Sequence, residues 1–240
     1  MTLNFIKSAL AIGVMATGLM STNAIADEPG TANGEWHHYT GDIKGSRYSA
    51  LDQINADNFE DLELVWSFST KNLGTRGEYK LEVTPLMVDG VLYATAGTRR
   101  TAIALDGATG ELMWMHSMRE GLRAGLAPRQ LSGRGLSYWS DGNGDDRVFY
   151  VTTGYRLIAL DAHTGIPISD FGTDGNGILD LKVGAVQGNE VQIDLVTGEI
   201  GLHATPAIAG DLVIVGSAMK EGMTIDNYNN TKGLIRAFDI

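Results

Sequence analysis

The chain contains no cysteine among its 240 residues and is poor in positive charge, with 18 lysines and arginines against 29 aspartates and glutamates. Without cysteine, no disulfide can staple the fold, so packing, repetition or a bound metal must stabilise it. The net charge of -11 opposes binding to the phosphates of nucleic acids, which require a basic surface. The composition therefore excludes a disulfide-stapled scaffold and predicts that nucleic acid is not a partner.

Long apolar runs are also scarce, and the one near the amino terminus is typical of an export signal. Lys7 provides a positive start, residues 8–20 form an apolar stretch, and Ala24-Ile25-Ala26 is a small-x-small cleavage motif. A membrane helix needs about 20 apolar residues, and no run reaches that length. We predict a signal peptide over residues 1–26, cleaved near Ala26, and an exported mature chain of residues 27–240 without a transmembrane segment. An uncleaved amphiphilic anchor is the alternative.

A repeated pattern of short apolar strands runs through the mature chain. Residues 84–97, TPLMVDGVLYATAG, align without a gap on residues 205–218, TPAIAGDLVIVGSA. Residues 147–165 lack the Thr-Pro start but keep the order strand, turn, strand. The phrase Ala-Leu-Asp-x-x-Thr-Gly, at 104–110 and 159–165, ends two of the units. Its aspartate and glycine suit a tight turn, because the carboxylate bonds backbone N–H groups and glycine accepts a positive φ.

Units of short strands with frequent turn signals are typical of a β-propeller, in which each blade has four strands. A β-sandwich is the alternative, but phrases repeated at equivalent places favour the propeller. We therefore predict an all-β fold with about three blades and no helical domain. The last blade is unfinished, since the chain stops at Ile240 where Thr-Gly and an outer strand would follow. We expect the chain to be the amino-terminal piece of a longer protein.

The segment GEWHHYTGDIKGSRYSALDQINADNFEDLELVW at residues 34–66 and the phrase ALDGATGELMW at residues 104–114 resemble segments of the pyrroloquinoline-quinone (PQQ)-dependent dehydrogenases, which are eight-bladed propellers of the bacterial periplasm. Residues 104–114 are similar to the family's tryptophan-docking repeat, with Trp114 in the docking position, whereas the second copy has Ser169 there. The resemblance covers nearly all of residues 34–240 and is strongest to the glucose-dehydrogenase-like and alcohol-dehydrogenase-like branch. Residues 34–66 match its amino-terminal signature at Trp36, Tyr39, Gly41, Asp42, Arg47, Tyr48, Ser49, Leu51, Ile54, Asn55, Asn58, Leu62 and Trp66.

The resemblance implies a periplasmic dehydrogenase that oxidises an alcohol or sugar hydroxyl with PQQ and calcium and passes the electrons to a cytochrome or ubiquinone. The family's catalytic aspartate, its asparagine calcium ligand and the tryptophan beneath the quinone lie in later blades. We therefore expect no catalytic residue in this chain, and neither tight quinone binding nor turnover by the chain alone. The rival hypothesis is a non-catalytic propeller scaffold of the outer-membrane assembly type.

Candidate cofactor-binding residues lie where inner strands begin, because these strands converge on the axis of a propeller. Glu82 and His203 stand two residues before the threonines of the Thr-Pro phrases, where family residues face the quinone. Arg134 matches a family arginine that contacts the cofactor, and a guanidinium is a permanent cation that binds carboxylates with two hydrogen bonds. Ser217 and Ala218 match positions that approach the cofactor. The alternative for Glu82 is a solvated charge at a strand edge, for His203 a histidine of the core, and for Arg134 an arginine of the surface.

The loop after the second Thr-Pro hairpin carries the candidate metal ligand. Glu221 falls at the family position of a carboxylate that binds calcium, an ion that prefers hard oxygen ligands. The alcohol-oxidising members have Gly-Ala-Glu and a short loop, whereas this chain has Met219-Lys220-Glu221 and a longer insertion. Asp226 or Asn227 could bind the metal instead, and a solvated loop without metal is the remaining alternative. Bound calcium would polarise the quinone carbonyl as a Lewis acid.

Overall fold

The computed structural model describes residues 30–183, 186–187, 191–192, 194–196, 200–219 and 233–240. The predicted signal peptide and the candidate ligands Glu221, Asp226 and Asn227 lie outside these ranges. The helical segments are single turns: α1 (Leu122–Gly125) and the 3-10 turns Ala32–Gly34 and Phe59–Asp61. None of the helices among these residues has the length or the apolar character needed to cross a bilayer.

Short strands account for nearly all of the regular structure. In chain order they are β1 (Leu86–Val88), β2 (Val91–Ala96), β3 (Thr101–Asp106), β4 (Leu112–His116), β5 (Ser137–Ser140), β6 (Asp146–Val151), β7 (Arg156–Asp161), β8 (Ile178–Asp180), β9 (Val186–Gln187), β10 (Val191–Gln192), β11 (Ile200–Gly201), β12 (Ala207–Ala209), β13 (Leu212–Gly216), β14 (Ala218–Met219) and β15 (Ile235–Asp239). This inventory confirms the predicted all-β class.

The strands form successive antiparallel meanders, which are the blades of a partial propeller. Blade I has the order β1-β2-β3-β4, blade II has the order β5-β6-β7-β8, and the described part of blade III has the order β12-β13-β15. The pair β9 with β10 lies in the connection between blades II and III, and a second pair joins β11 of that connection to β14, which follows β13 of blade III. The prediction of about three repeated units is therefore confirmed.

The two segments that align without a gap fold into the same hairpin at the start of blades I and III. In blade I, Val88 pairs with Val91 across Asp89 and Gly90, which have φ values of 49° and 78°. In blade III, Ala209 pairs with Leu212 in the equivalent register. Two-residue turns with positive φ match the twist of the strands they join, and an Asp-Gly pair tolerates that conformation at low cost.

Blade II also has an inner strand, although the repeat pattern did not reveal it. The unit at 147–165 forms β6 and β7, which are the second and third strands of the blade. The inner strand β5 precedes them and pairs Ser137 with Phe149. Because β5 starts without the Thr-Pro phrase of the other two blades, the pattern left its role unassigned.

The Trp114 side chain fastens blade I to blade II. Its Nε1 donates a hydrogen bond to the carbonyl of Ala162 at 2.8 Å, within the turn that follows β7. A Cβ on Gly165 would lie 2.6 Å from the indole ring, and Gly165 has a φ of 70°. Only glycine fits at this position, because any side chain would collide with the ring in a conformation that already disfavours L residues. The predicted docking position of Trp114 is confirmed.

Trp66 makes the same contact one blade earlier, although its sequence context had indicated only an amino-terminal signature. Its Nε1 donates to the carbonyl of Gly107 at 3.1 Å. A Cβ on Gly110 would lie 2.5 Å from its ring. The turn beneath it is held by Asp106, whose Oδ1 accepts hydrogen bonds from the backbone N and the hydroxyl of Thr109 at 2.7 and 2.8 Å. The repeated turn phrase is therefore a docking platform for a tryptophan from the preceding segment.

The core lies between neighbouring blades rather than in one central layer. One buried cluster joins blades I and II, and another joins blades II and III. Burial of each large apolar side chain contributes about 1.5–3 kcal/mol to stability, so face-to-face contact between blades stabilises the array. The larger members of the clusters are Leu86, Tyr93, Trp114, Leu136, Val148 and Tyr150 for the first, and Phe149, Leu157, Phe171, Val213 and Val215 for the second.

Candidate functional site

The starts of the three inner strands are joined to one another by backbone hydrogen bonds. The N–H of Arg134 donates to the carbonyl of His203 at 3.2 Å, and the N–H of Thr84 donates to the carbonyl of Arg134 at 3.2 Å. The hydroxyl of Ser137 donates to the carbonyl of Pro206. These bonds bring together segments that are far apart in the chain, and they hold the candidate side chains of all three blades at one edge of the array.

One open cavity of about 390 Å³ lies at this edge. We name it the inner-strand cavity and define it by the residues that line it. All of the cofactor-binding residues predicted from the sequence lie in its wall, whereas Glu221 is outside the described ranges. The lining residues are Lys80, Glu82, Arg129, Arg134, His203, Ala204, Gly216, Ser217 and Ala218.

Glu82 is an ionised carboxylate that bonds neighbours on both sides. Its Oε1 lies 3.0 Å from Nζ of Lys80, and its Oε2 lies 3.1 Å from Nε2 of His203. The hydrogen bond from Lys80 lowers the pKa of Glu82, and the positive charges of Lys80 and Arg134 act in the same direction. Glu82 therefore keeps its negative charge at neutral pH.

His203 is the neutral partner in this pair. Burial lowers the pKa of His203, the positive charge of Arg100 lowers it further, and Glu82 opposes both effects. The contact with Glu82 is therefore a hydrogen bond from a neutral imidazole, with Nε2–H as the donor. This tautomer makes Nδ1 an acceptor, and Nδ1 is buried without a hydrogen-bond partner among the residues that the structure describes.

Arg134 presents an exposed guanidinium to the cavity. One of its Nη1 hydrogens is donated to the hydroxyl of Tyr39 at 3.2 Å, and this bond raises the pKa of Arg134. A guanidinium has five N–H donors in a planar fork, so a ligand can be offered several of them. Arg134 is therefore placed to bind a planar anion.

Ser217 and Ala218 form the small-residue side of the cavity. The Ser217 hydroxyl lies 2.5 Å from the hydroxyl of Tyr155, and its backbone N–H donates to Leu234. Tyr155 is buried and has a φ of 71°, a conformation that is costly for a residue with a bulky side chain. Ala218 pairs with Gly201 in the short β11–β14 ladder. The strained tyrosine fixes the position of the serine hydroxyl.

Sequence reasoning missed three contributors to this site: Lys80, Arg129 and Tyr155. Lys80 stands two residues before Glu82, and side chains with that spacing share one face of an extended segment. This spacing was a usable signal. Arg129 and Tyr155 reach the site only through the packing of blade II, so no local pattern identified them. With Lys80 and Arg129 included, the cavity has three cationic side chains against the carboxylate of Glu82, in a chain of net charge -11.

Within the described ranges, no group of three or more His, Asp or Glu side chains is arranged to hold a metal ion. Glu221, Asp226 and Asn227 lie outside those ranges. Calcium binding therefore remains a prediction.

Comparison with known proteins identifies the family to which the chain belongs. A family model described as "PQQ: Glucose/ethanol/alcohol dehydrogenase, beta-propeller domain" matches residues 36–240. Quinoprotein glucose dehydrogenase from Gluconobacter oxydans (strain 621H) is 30% identical over 231 residues, which cover 90% of this chain and 27% of that protein. The dehydrogenase subunit of alcohol dehydrogenase (quinone) from Acetobacter aceti is 35% identical over 255 residues, covering 97% of this chain and 30% of that protein.

A solved structure extends the similarity to three dimensions. The crystal structure of quinohemoprotein alcohol dehydrogenase from Comamonas testosteroni matches with a TM-score of 0.65 and 28% identity, covering 88% of this chain and 26% of that one. The chain thus spans between a quarter and a third of the length of these relatives. The matches confirm the resemblance and the propeller fold. The chain belongs to the glucose/ethanol/alcohol dehydrogenase family of PQQ β-propeller proteins.

Proposed function

We propose that this chain provides part of the PQQ-binding site of a dehydrogenase that oxidises an alcohol or sugar hydroxyl. The observation that carries the proposal is the inner-strand cavity, which collects the predicted residues of all three blades around an excess of positive charge. A non-catalytic scaffold does not require cationic and polar side chains from three blades around one cavity. Because the chain covers only part of its relatives, the activity of the whole protein is included in the proposal.

The residues present suit the chemistry of PQQ, a planar orthoquinone with three carboxylates. Lys80, Arg129 and Arg134 provide cationic donors for carboxylates. The hydroxyl of Ser217 provides a neutral polar contact. Gly216 and Ala218 have little or no side chain, which allows a flat ring system to approach the backbone. The donor set and the cavity therefore fit the cofactor.

In this proposal, the residues of this chain bind and orient the cofactor. Arg134 engages a carboxylate through its planar fork, and Lys80 adds a point charge that Glu82 holds in place. Glu82 also fixes the neutral tautomer of His203. Bound PQQ would supply the two-electron acceptor for the substrate's hydride. We assign the proton-abstracting base to no described residue of this chain, in line with the family resemblance.

We further propose a calcium ion bound with the help of Glu221, export to the periplasm by the signal peptide of residues 1–26, and a cytochrome or ubiquinone as electron acceptor. Support comes from the hard-oxygen character of the Glu221 loop and from the form of the amino-terminal segment. Family membership supports the electron acceptor only by analogy.

The proposal is tested on the complete protein that contains this chain. PQQ binding is measured by equilibrium titration, and oxidation of alcohols and sugars is measured with an artificial dye as acceptor. Replacement of Arg134 by methionine is expected to weaken PQQ binding by at least about tenfold, since a charged hydrogen bond is worth roughly 1.5–3 kcal/mol. The matched control is Arg76→Met, because Arg76 is an exposed arginine that lies outside the cavity. Failure of the wild-type protein to bind PQQ would favour the scaffold hypothesis.

A further inference from the structure

Arg100 is a buried arginine whose partners are backbone carbonyls. It lies in the turn between β2 and β3 of blade I and is only 1% exposed. No carboxylate among the described residues lies within ion-pair distance of it. Burial lowers its pKa to about 10, which is still well above neutral pH. A buried cation without a charged partner is costly unless its donors are hydrogen-bonded. The hydrogen bonds of the Arg100 guanidinium therefore decide whether its charge can be buried.

The guanidinium of Arg100 reaches all three blades. Its Nε donates to Leu131 at 3.1 Å and its Nη2 donates to Arg129 at 3.1 Å, both in the loop before β5. Its Nη1 donates to Val151 at the end of β6 at 3.3 Å and to Leu202 at 2.7 Å. Four of the five donors of one side chain are therefore used on carbonyls of two other blades.

Two of these carbonyls belong to or adjoin residues that line the inner-strand cavity, since Arg129 lines it and Leu202 is next to His203. Leu202 immediately precedes His203, and the loop of residues 129–131 leads to Arg134. We propose that Arg100 is a positioning residue for the cofactor site, because its guanidinium fixes the backbone that carries Arg129, Arg134 and His203. This inference rests on the proposed function for its link to PQQ, but the backbone attachment itself does not.

The loop before β5 packs directly against the guanidinium of Arg100. Gly133 has a φ of 70°, and a Cβ there would lie 2.7 Å from Nε of Arg100. The glycine lets the loop lie directly against the guanidinium. Glu78 makes a second link between the same two elements, since its carboxylate accepts the N–H of Ser132 at 2.8 Å and that of Gly97 at 2.9 Å. The loop before Arg134 is therefore attached to blade I at two places.

The charge of Arg100 acts on the same site. It disfavours protonation of His203, as burial and Arg134 also do, whereas Glu82 favours it. A lysine could keep this charge, but its single ammonium cannot reproduce a planar fork that spans four carbonyls. Arg100→Lys therefore separates the role of the fork from that of the charge.

The test uses the complete protein and the variants Arg100→Lys and Arg100→Met. The matched control is Arg147→Lys, because Arg147 is also buried but pairs with Asp145 and Asp170 outside the cavity. PQQ affinity is measured by titration, hydrogen–deuterium exchange of residues 129–135 and 202–205 by mass spectrometry, and Tm by calorimetry. We expect Arg100→Lys to weaken PQQ binding by about tenfold, a typical effect of losing residues that orient ligands, and to speed exchange in both segments.

The control is expected to lower Tm without changing PQQ affinity or exchange in these segments. Unchanged affinity and unchanged exchange in Arg100→Lys would overturn the inference. Should the methionine variant not fold, the lysine variant decides the matter. If the wild-type protein does not bind PQQ, the proposed function fails, and the exchange data alone then support or overturn the positioning role of Arg100.

Discussion

The imidazole of His203 lies 3.1 Å from the carboxylate of Glu82, although 121 positions separate them in the chain. Their segments belong to blades III and I, and the loop that carries Arg134 joins them through backbone hydrogen bonds. The contact between these two side chains therefore depends on the starts of the inner strands of blades I and III lying side by side.

The titration of His203 is the first prediction. Because burial and Arg100 lower its pKa and Glu82 opposes them, His203 is expected to titrate below 6.5, and Glu82→Gln is expected to lower the pKa further. The folded protein then binds this proton less tightly than the unfolded chain. Its contribution to stability is present above the unfolded-state pKa and is lost as pH falls through the folded-state pKa. NMR of the imidazole, assigned with His203→Asn, measures the titration; a pKa above 6.5 would indicate an ion pair instead.

The second prediction concerns the docking of Trp114 on Gly165. Gly165→Ala is expected to lower the free energy of unfolding more than Gly142→Ala does, although φ is 70° at Gly165 and 73° at Gly142. A Cβ at Gly142 meets no heavy atom within 4 Å, whereas one at Gly165 collides with the indole. We expect about 1 kcal/mol for the backbone strain alone and roughly 1–3 kcal/mol more for the collision. Urea denaturation measures both; equal losses would contradict the docking contact.

The third prediction separates the Tyr155 hydroxyl from its ring. Tyr155→Phe removes the partner that lies 2.5 Å from the Ser217 hydroxyl. We expect a loss of about 1 kcal/mol in stability and PQQ binding that is weaker by a few-fold, because the serine hydroxyl loses its fixed direction. Tyr150→Phe is the control, since its hydroxyl bonds His116 at 2.9 Å outside the cavity. It should change stability alone. Equal PQQ affinities in the two variants would count against a role for Ser217.

The fourth prediction addresses the metal. A calcium chelator is expected to weaken PQQ binding by the complete protein, and added calcium is expected to restore it. Glu221→Gln should raise the calcium concentration needed for half-restoration by about tenfold or more, as is typical for loss of a metal ligand or its support. Asp226→Asn is the matched variant. An effect confined to Asp226→Asn would move the site to that residue, and PQQ binding independent of calcium in all proteins would refute the metal proposal.

Local features of the sequence were sufficient for the blade fold. The Asp-Gly turn at 89–90 and the phrase Ala-Leu-Asp-x-x-Thr-Gly depend on the φ preferences and hydrogen bonds of adjacent residues, so they could be identified without a structure. The inner strand β5 was missed because it lacks the Thr-Pro start that marks β1 and β12. The docking of Trp66 was missed for a different reason, since Trp66 is not preceded by the Asp-x-x-Thr-Gly phrase that marks the docking position of Trp114.

The candidate site divides in the same way. Family resemblance and repeat position were sufficient to predict Glu82, Arg134, His203, Ser217 and Ala218 as candidates. Only the packing of three blades placed them around one cavity and added Arg129 and Tyr155. Arg100 illustrates the limit most clearly, because nothing local distinguishes it from Arg99, and its function follows from carbonyls up to 102 positions away. The sequence alone determined the strands, turns and candidate residues, since these depend on neighbours along the chain; the tertiary structure decided which distant groups meet.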